Sequence, residues 1–154
     1  MISLVDLTAV LQRAWMEAAG EQVPTQFPGV PLDATRLAAW FEFWITQVEQ
    51  PLQRVPGTEV RMVLLDIHCF SRRPEKRQVM AMADRVCTVF AHQAFPLSPD
   101  GAALLSGGAI RLREAAVRDL TRETGHEPKL PIQHLVVSLT GRAEKPPEAS
   151  SPQP

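Results

Sequence analysis

The 154-residue chain reads as an α+β domain in the order α-β-β-α-β-β, an antiparallel four-stranded sheet with two helices packed on it. Three observations predict this. Apolar residues recur at helical spacing in two places, from Leu4 to Ala18 and after Pro74. Residues 37–48 and 60–71 alternate with period two and are rich in aromatic and β-branched residues, as strands are. A last pair of segments, 109–122 and 132–140, is joined by ETGHEPK, and one sheet with both helices on a face buries all six elements most economically.

Ser3 opens the first helix, with Asp6 three residues on as a capping box in which Asp replaces Glu. Leu4, Leu7, Leu11, Ala14, Trp15 and Ala18 make its apolar stripe, and Gly20 is a natural stop. The segment QVPTQFPGVPLDAT is a loop, because Pro24, Pro28 and Pro31 exclude both helix and central strand. In strand 37–48, Ala39, Phe41, Phe43 and Ile45 face one way while Trp40, Glu42, Trp44 and Thr46 face the other. Pro51, Pro56 and Gly57 mark a bend, and in the return strand 60–71 Val63, Leu65, Ile67 and Cys69 oppose Met62, Leu64, Asp66, His68 and Phe70.

Pro74 stands near the start of the second helix, which runs to about residue 94 with Val79, Met82, Ala83, Val86, Val89 and Phe90 as its stripe. A Pro-, Gly-, Ser- and Ala-rich loop covers 96–108. Residues 109–122 are ambiguous: Ile110, Leu112, Ala116 and Leu120 suit a strand, yet the Ala, Arg, Glu and Leu content also suits a helix. The Val- and Leu-rich strand 132–140, bounded by Pro131 and Gly141, needs a hairpin partner, and that favours the strand reading.

A formal net charge of −1 and a pI near 6.4 give no electrostatic reason for nucleic acid or an anionic membrane to be the main partner. The N-terminal MISLVDLTAVLQ lacks a basic region and a small-residue cleavage site, and no apolar run reaches the roughly 20 residues a bilayer requires, so the chain is expected to be soluble and intracellular when made. Cys69 and Cys87 each sit among apolar residues and are expected to be free, buried thiols. The stretch AEKPPEASSPQP has no large apolar residue after Ala143, which predicts a single domain over 1–143 and a disordered tail over 144–154.

Motifs for chemistry are missing from the sequence. Gly107 and Gly108 lack the lysine and preceding strand of a phosphate loop, and no serine lies in a nucleophile elbow. Asp66, His68, Cys69 and His92 are the metal candidates, but Cys69 faces away from Asp66 and His68 and no paired C-x-x-C spacing exists. His126 and His134 only flank the last hairpin. The expectation is no catalytic residue, no cofactor and no metal, hence not an enzyme. Arg72, Arg73, Lys76 and Arg77, and again Arg111, Arg113, Arg118 and Arg122, are interspersed with acids and read as solvated surface.

The tryptophans are more informative. Trp40 and Trp44, with Glu42 between them, stand opposite Phe41 and Phe43, and two helices rarely cover both faces of one sheet. Either a helix covers them, or Trp40 and Trp44, with Met62, Leu64 and Phe70 on the neighbouring strand, belong to a subunit interface, where aromatic residues are enriched.

Over residues 1 to about 143 the layout resembles the tail terminator (tail completion) proteins of long-tailed bacteriophages and related prophage or gene-transfer particles. It is carried by the amphipathic first helix, the loop QFPGVPLD and the aromatic strand RLAAWFEFWITQV. Next come VRMVLLDIHCFSR, leading into RPEKRQVMAMADRVCTVFAHQAF with its ADRV…F pattern, and a hairpin ending in LPIQHLVVSLTGR. The resemblance implies a structural virion protein with no active site. Its subunits would form a hexameric ring that caps the tail tube, touches the major tail tube protein and docks to the head connector. DNA would be only cargo passing through the ring, and no membrane would be involved. The implied location is the tail-neck region of the virion, and the host cytoplasm during assembly. The Pro-rich extension after Glu144 and the long connection 96–108 depart from the pattern, leaving another neck component or a generic oligomeric interaction domain as alternatives.

Overall fold

The computed structural model describes residues 2–19, 23–48, 58–97, 108–121 and 132–146. In chain order the elements are α1 (Leu4–Ala19), β1 (Thr25–Gln26), a 3-10 turn (Ala34–Arg36), β2 (Ala39–Val48), β3 (Glu59–Ser71), α2 (Lys76–Phe90), β4 (Ala94–Pro96), β5 (Ala109–Asp119) and β6 (Gln133–Lys145). The strands form one sheet in the order β1-β2-β3-β6-β5-β4. The sheet is therefore six-stranded, and the expectation of four strands is corrected. The four expected strands are its inner ones, all antiparallel, while β1 pairs with β2 in parallel.

Both extra strands are recruited by a neighbour's free edge. β1 lies between Pro24 and Pro28, where only an edge position tolerates the missing N–H groups, and the Phe41 N–H donates to the Pro24 carbonyl at 2.9 Å. β4 pairs with Ala109–Arg111 at the opposite edge, and the Leu97 N–H extends that contact to the Gly108 carbonyl at 2.8 Å. β4 also displaces the expected end of α2. The helix stops at Phe90, and His92, at φ 60, turns the chain into the edge strand. At the other end Pro74 precedes the Glu75 N-cap, just outside the helix.

The ladder between β3 and β6 runs unbroken from Glu59↔Lys145 to Ser71↔Gln133 and joins the two hairpins. β6 thus continues to Lys145, beyond the expected end at 140 and past the expected domain limit at 143. Residues 147–154, the bend at 49–57, Gly20 and the connection 122–131 lie outside the described residues. In β5 a bulge between Leu112 and Ala115 inserts an extra residue. Ile110 and Leu112 face the helices, but beyond the bulge Ala115 and not Ala116 takes that side, packing against the core.

Both helices lie on the face that carries Phe41, Phe43, Leu65, Ile67, Val137 and Leu139, and these residues form the core with them. Trp15 is its hub: 0% exposed, edge-on to Phe41 at 4.8 Å between centroids and stacked on Phe90 at 6.0 Å. Its indole N–H donates to Thr25 Oγ1 at 2.9 Å. The buried stripe of α1 is rotated from the expected one. Val10 and Ala19 are buried, whereas Leu4 is 51% exposed and Ala18 is exposed. Ser3 Oγ accepts from the N–H groups of Val5 and Asp6, so the cap forms at the expected residue. Cys69 and Cys87 are free, the first fully buried and the second half-buried. Burial, then the neighbouring Cys87, pushes the Cys69 thiol up to about 12.

Candidate docking face

Period-two alternation sends every second residue of β2, β3, β6 and β5 to the face away from the helices. No described helix packs on that face, so the tryptophans are not covered by one. Strand register arranges its side chains in rows across the sheet. One row runs Trp40, Phe70, His134; the next Glu42, His68, Val136, Arg118; the next Trp44, Asp66, Ser138, Ala116. Beyond these come Leu64 with Thr140, then Met62, Arg142 and Arg111. The five interface candidates, Trp40, Trp44, Met62, Leu64 and Phe70, therefore lie on the same face of β2 and β3, interrupted by Glu42, Asp66 and His68.

They are not equivalent. Trp40 stacks on Phe70 at 4.8 Å and Arg72 covers its ring at 5.3 Å. Arg72 is itself held by the carbonyls of Leu37 and Ala34, and Trp40 is left only 5% exposed. Trp44, Met62, Leu64 and Phe70 are half-buried. Glu42 accepts both indole N–H groups, from Trp40 at 3.3 Å and from Trp44 at 3.4 Å, which is why an acid stands between two tryptophans. Asp66 accepts from Ser138 Oγ and, at 3.2 Å, from Thr46 Oγ1. These carboxylates organise the surface by accepting hydrogen bonds.

The aromatic stack continues through Phe70 to His134 at 4.2 Å, and His68 Nδ1 lies 2.9 Å from His134 Nε2. Such a contact needs a proton on only one of the two facing nitrogens. Burial first, and the charge of His68 second, hold His134 below the ordinary imidazole value against the opposing pull of Glu42 and Asp119. The folded state accordingly binds fewer protons than the unfolded chain as pH drops below 6.5. Stability from this group is complete above that pH and is lost as pH falls through the lower folded value. Urea unfolding at about pH 7.5 and about pH 5.5 should show this loss, and His134→Gln should reduce it. An unchanged pH dependence in the variant would place the effect elsewhere.

Of the metal candidates, Asp66 and His68 are on this face, Cys69 is buried on the other, and His92 sits in the turn after α2. Among the described residues no three His, Cys, Asp or Glu side chains gather as a metal site would require. His126 lies outside the described residues. Several basic residues have assigned partners: Lys76 pairs with Asp119, Arg142 with Glu144, and Arg118 donates to Ser138 at 3.2 Å. Hydrogen bonds from Lys76 and then Thr121 hold the Asp119 carboxyl down at about 2. Among the described residues no helix is long and apolar enough to cross a membrane.

Sequence reasoning identified the face but not the contact between His68 and His134, nor the burial of Val136, which is 1% exposed. Both depend on the β3–β6 register, which no local pattern encodes. The alternation Trp-x-Glu-x-Trp was the available signal for the shared carboxylate.

No protein-family model matches the chain, and no curated protein matches it. Among solved structures, the chain is similar to the sheath/tube terminator of PVC, an extracellular contractile injection system, seen by cryo-EM in the extended state. The likeness has a TM-score of 0.47 at 13% identity and covers 99% of this chain, which spans 60% of the length of that protein.

Proposed function

We propose that the chain is a non-catalytic tail terminator, a structural subunit that caps a tail tube as a ring and joins it to a head connector. The observation that carries this reading is the open sheet face. Trp44, Met62, Leu64 and Phe70 form a half-buried aromatic and aliphatic surface that no described helix covers. Aromatic and aliphatic side chains interleaved with polar and charged groups on an uncovered sheet face are the composition of a protein–protein contact. Hydrogen bonds lock its carboxylates and histidines, and the β3–β6 ladder makes the platform stiff, which suits docking better than turnover. The resemblance in element layout to the tail terminator family supplies the kind of assembly. Identical subunits meeting through heterologous contacts close a ring without any reactive residue. The partners are then other copies of the chain, the major tail tube protein and the connector, with DNA passing through.

The test is electron microscopy of lysates in which the gene is deleted. Tails should be over-long or fail to join heads, and added purified protein should restore joining. Tails of fixed length on intact particles without the protein would overturn this reading and favour a general interaction domain.

A further inference from the structure

The open face has an internal polarity that the terminator reading does not use. In the row Glu42, His68, Val136, Arg118, the acid lies on β2 and the base on β5, at opposite margins of the four inner strands. The next row pairs size in the same way, with Trp44 on β2 and Ala116 on β5. A two-fold axis parallel to the strands and midway between β3 and β6 exchanges β2 with β5 while preserving each row. It sets Arg118 of one copy over Glu42 of the other, and Trp44 over Ala116, and symmetry makes each contact twice. Glu42 retains acceptor capacity beside its two long indole hydrogen bonds, and Arg118 is exposed.

We infer that, free of other partners, two copies of this chain pair face to face through this sheet. Four strands about 4.8 Å apart and about nine residues long present a face of roughly 19 by 30 Å. Pairing two such faces buries somewhat more than about 1,000 Å² in total, the size of a weak, reversible specific contact. Aligned packing of two sheets about 10 Å apart interdigitates large with small side chains, as Trp44 and Ala116 require. A formal net charge of −1 leaves little overall repulsion between copies. The pairing rests on the geometry of the face and stands whether or not the chain caps a tail. Where the face also docks to other proteins, the pair must open first.

Sedimentation equilibrium of the full chain at tens of micromolar should give twice the chain mass. Arg118→Glu places like charges opposite each other at two symmetric positions and should weaken pairing at least about tenfold. Glu42→Arg should do the same, and the two substitutions together should restore most of the affinity. Ala116→Trp is a second reading that leaves the Glu42 hydrogen bonds alone: an indole at this exposed position meets Trp44 of the other copy and should drive the mass to monomer. Circular dichroism checks that each variant remains folded. A wild-type chain that stays monomeric, an assembly of another size, or a dimer indifferent to both Arg118→Glu and Ala116→Trp would overturn the inference.

Discussion

Replacing Trp15 by alanine should lower the unfolding free energy by about 3–5 kcal/mol, the range for deleting a fully buried large aromatic. Trp15 is where α1, α2 and β2 meet, through its contacts with Phe41 and Phe90. The substitution leaves a void that three elements must share, and the strand pairing that fixes β2 within the sheet restrains their collapse. It also removes the donor to Thr25 Oγ1, loosening the edge strand β1 from the core. Denaturant unfolding followed by circular dichroism measures the loss. A change below about 1 kcal/mol would mean that α1 contributes little to the core. Trp44→Ala is the informative contrast, because this half-buried side chain lies on the opposite face and should affect association more than folding.

The second large effect is expected at Gly108, where β5 begins beside the end of β6. A Cβ at this position would lie 1.9 Å from the Glu144 carbonyl oxygen and 2.8 Å from the Lys145 Cα. Both atoms belong to backbone, so no rotamer change relieves the contact. Gly108→Ala must push the two strands apart and weaken the bond from Leu97 N–H to the Gly108 carbonyl. The cost should be at least the about 1–3 kcal/mol of ordinary overpacking. Gly141→Ala is the control: its Cβ would meet Leu112 Cδ2 at 2.5 Å, a side-chain terminus that can rotate away at smaller cost. Thermal unfolding of the two variants should rank them in that order, and equal midpoints would refute the close approach at Gly108.

Much of this architecture was legible because β3 and the first part of β2 obey a strict two-faced pattern. Phe41 and Phe43 against Trp40 and Trp44, and Leu65 and Ile67 against Leu64 and Asp66, announce their sides without tertiary information. The stripe of α2 was equally clear, with Val79, Met82, Ala83, Val86 and Phe90 all buried. Where reading failed, a non-local cause can be named. The bulge after Leu112 shifts the alternation of β5 by one residue, so Ala116, expected on the side of Ile110 and Leu112, faces the other way. β1 and β4 carry too few residues to have a period, and their partners' edges decide their pairing. Leu4 looked like core but projects from the start of α1, while Val10 takes the buried place. The residues of the uncovered sheet face were legible from alternation, but its stack of rings and its row of opposed charges required the register of β3 against β6.

That register also governs how the chain reaches its native state. Each hairpin, β2 with β3 and β5 with β6, joins neighbours in sequence across one connection. The ladder that unites them joins segments with α2, β4 and β5 between them, so closing it confronts a far larger loop entropy. Because α2 packs on both β3 and β6, the helix finds its full burial only when the hairpins merge. Uniting the hairpins is therefore the pairing with the largest loop-closure cost, and topologies rich in such distant pairings fold more slowly than helical bundles.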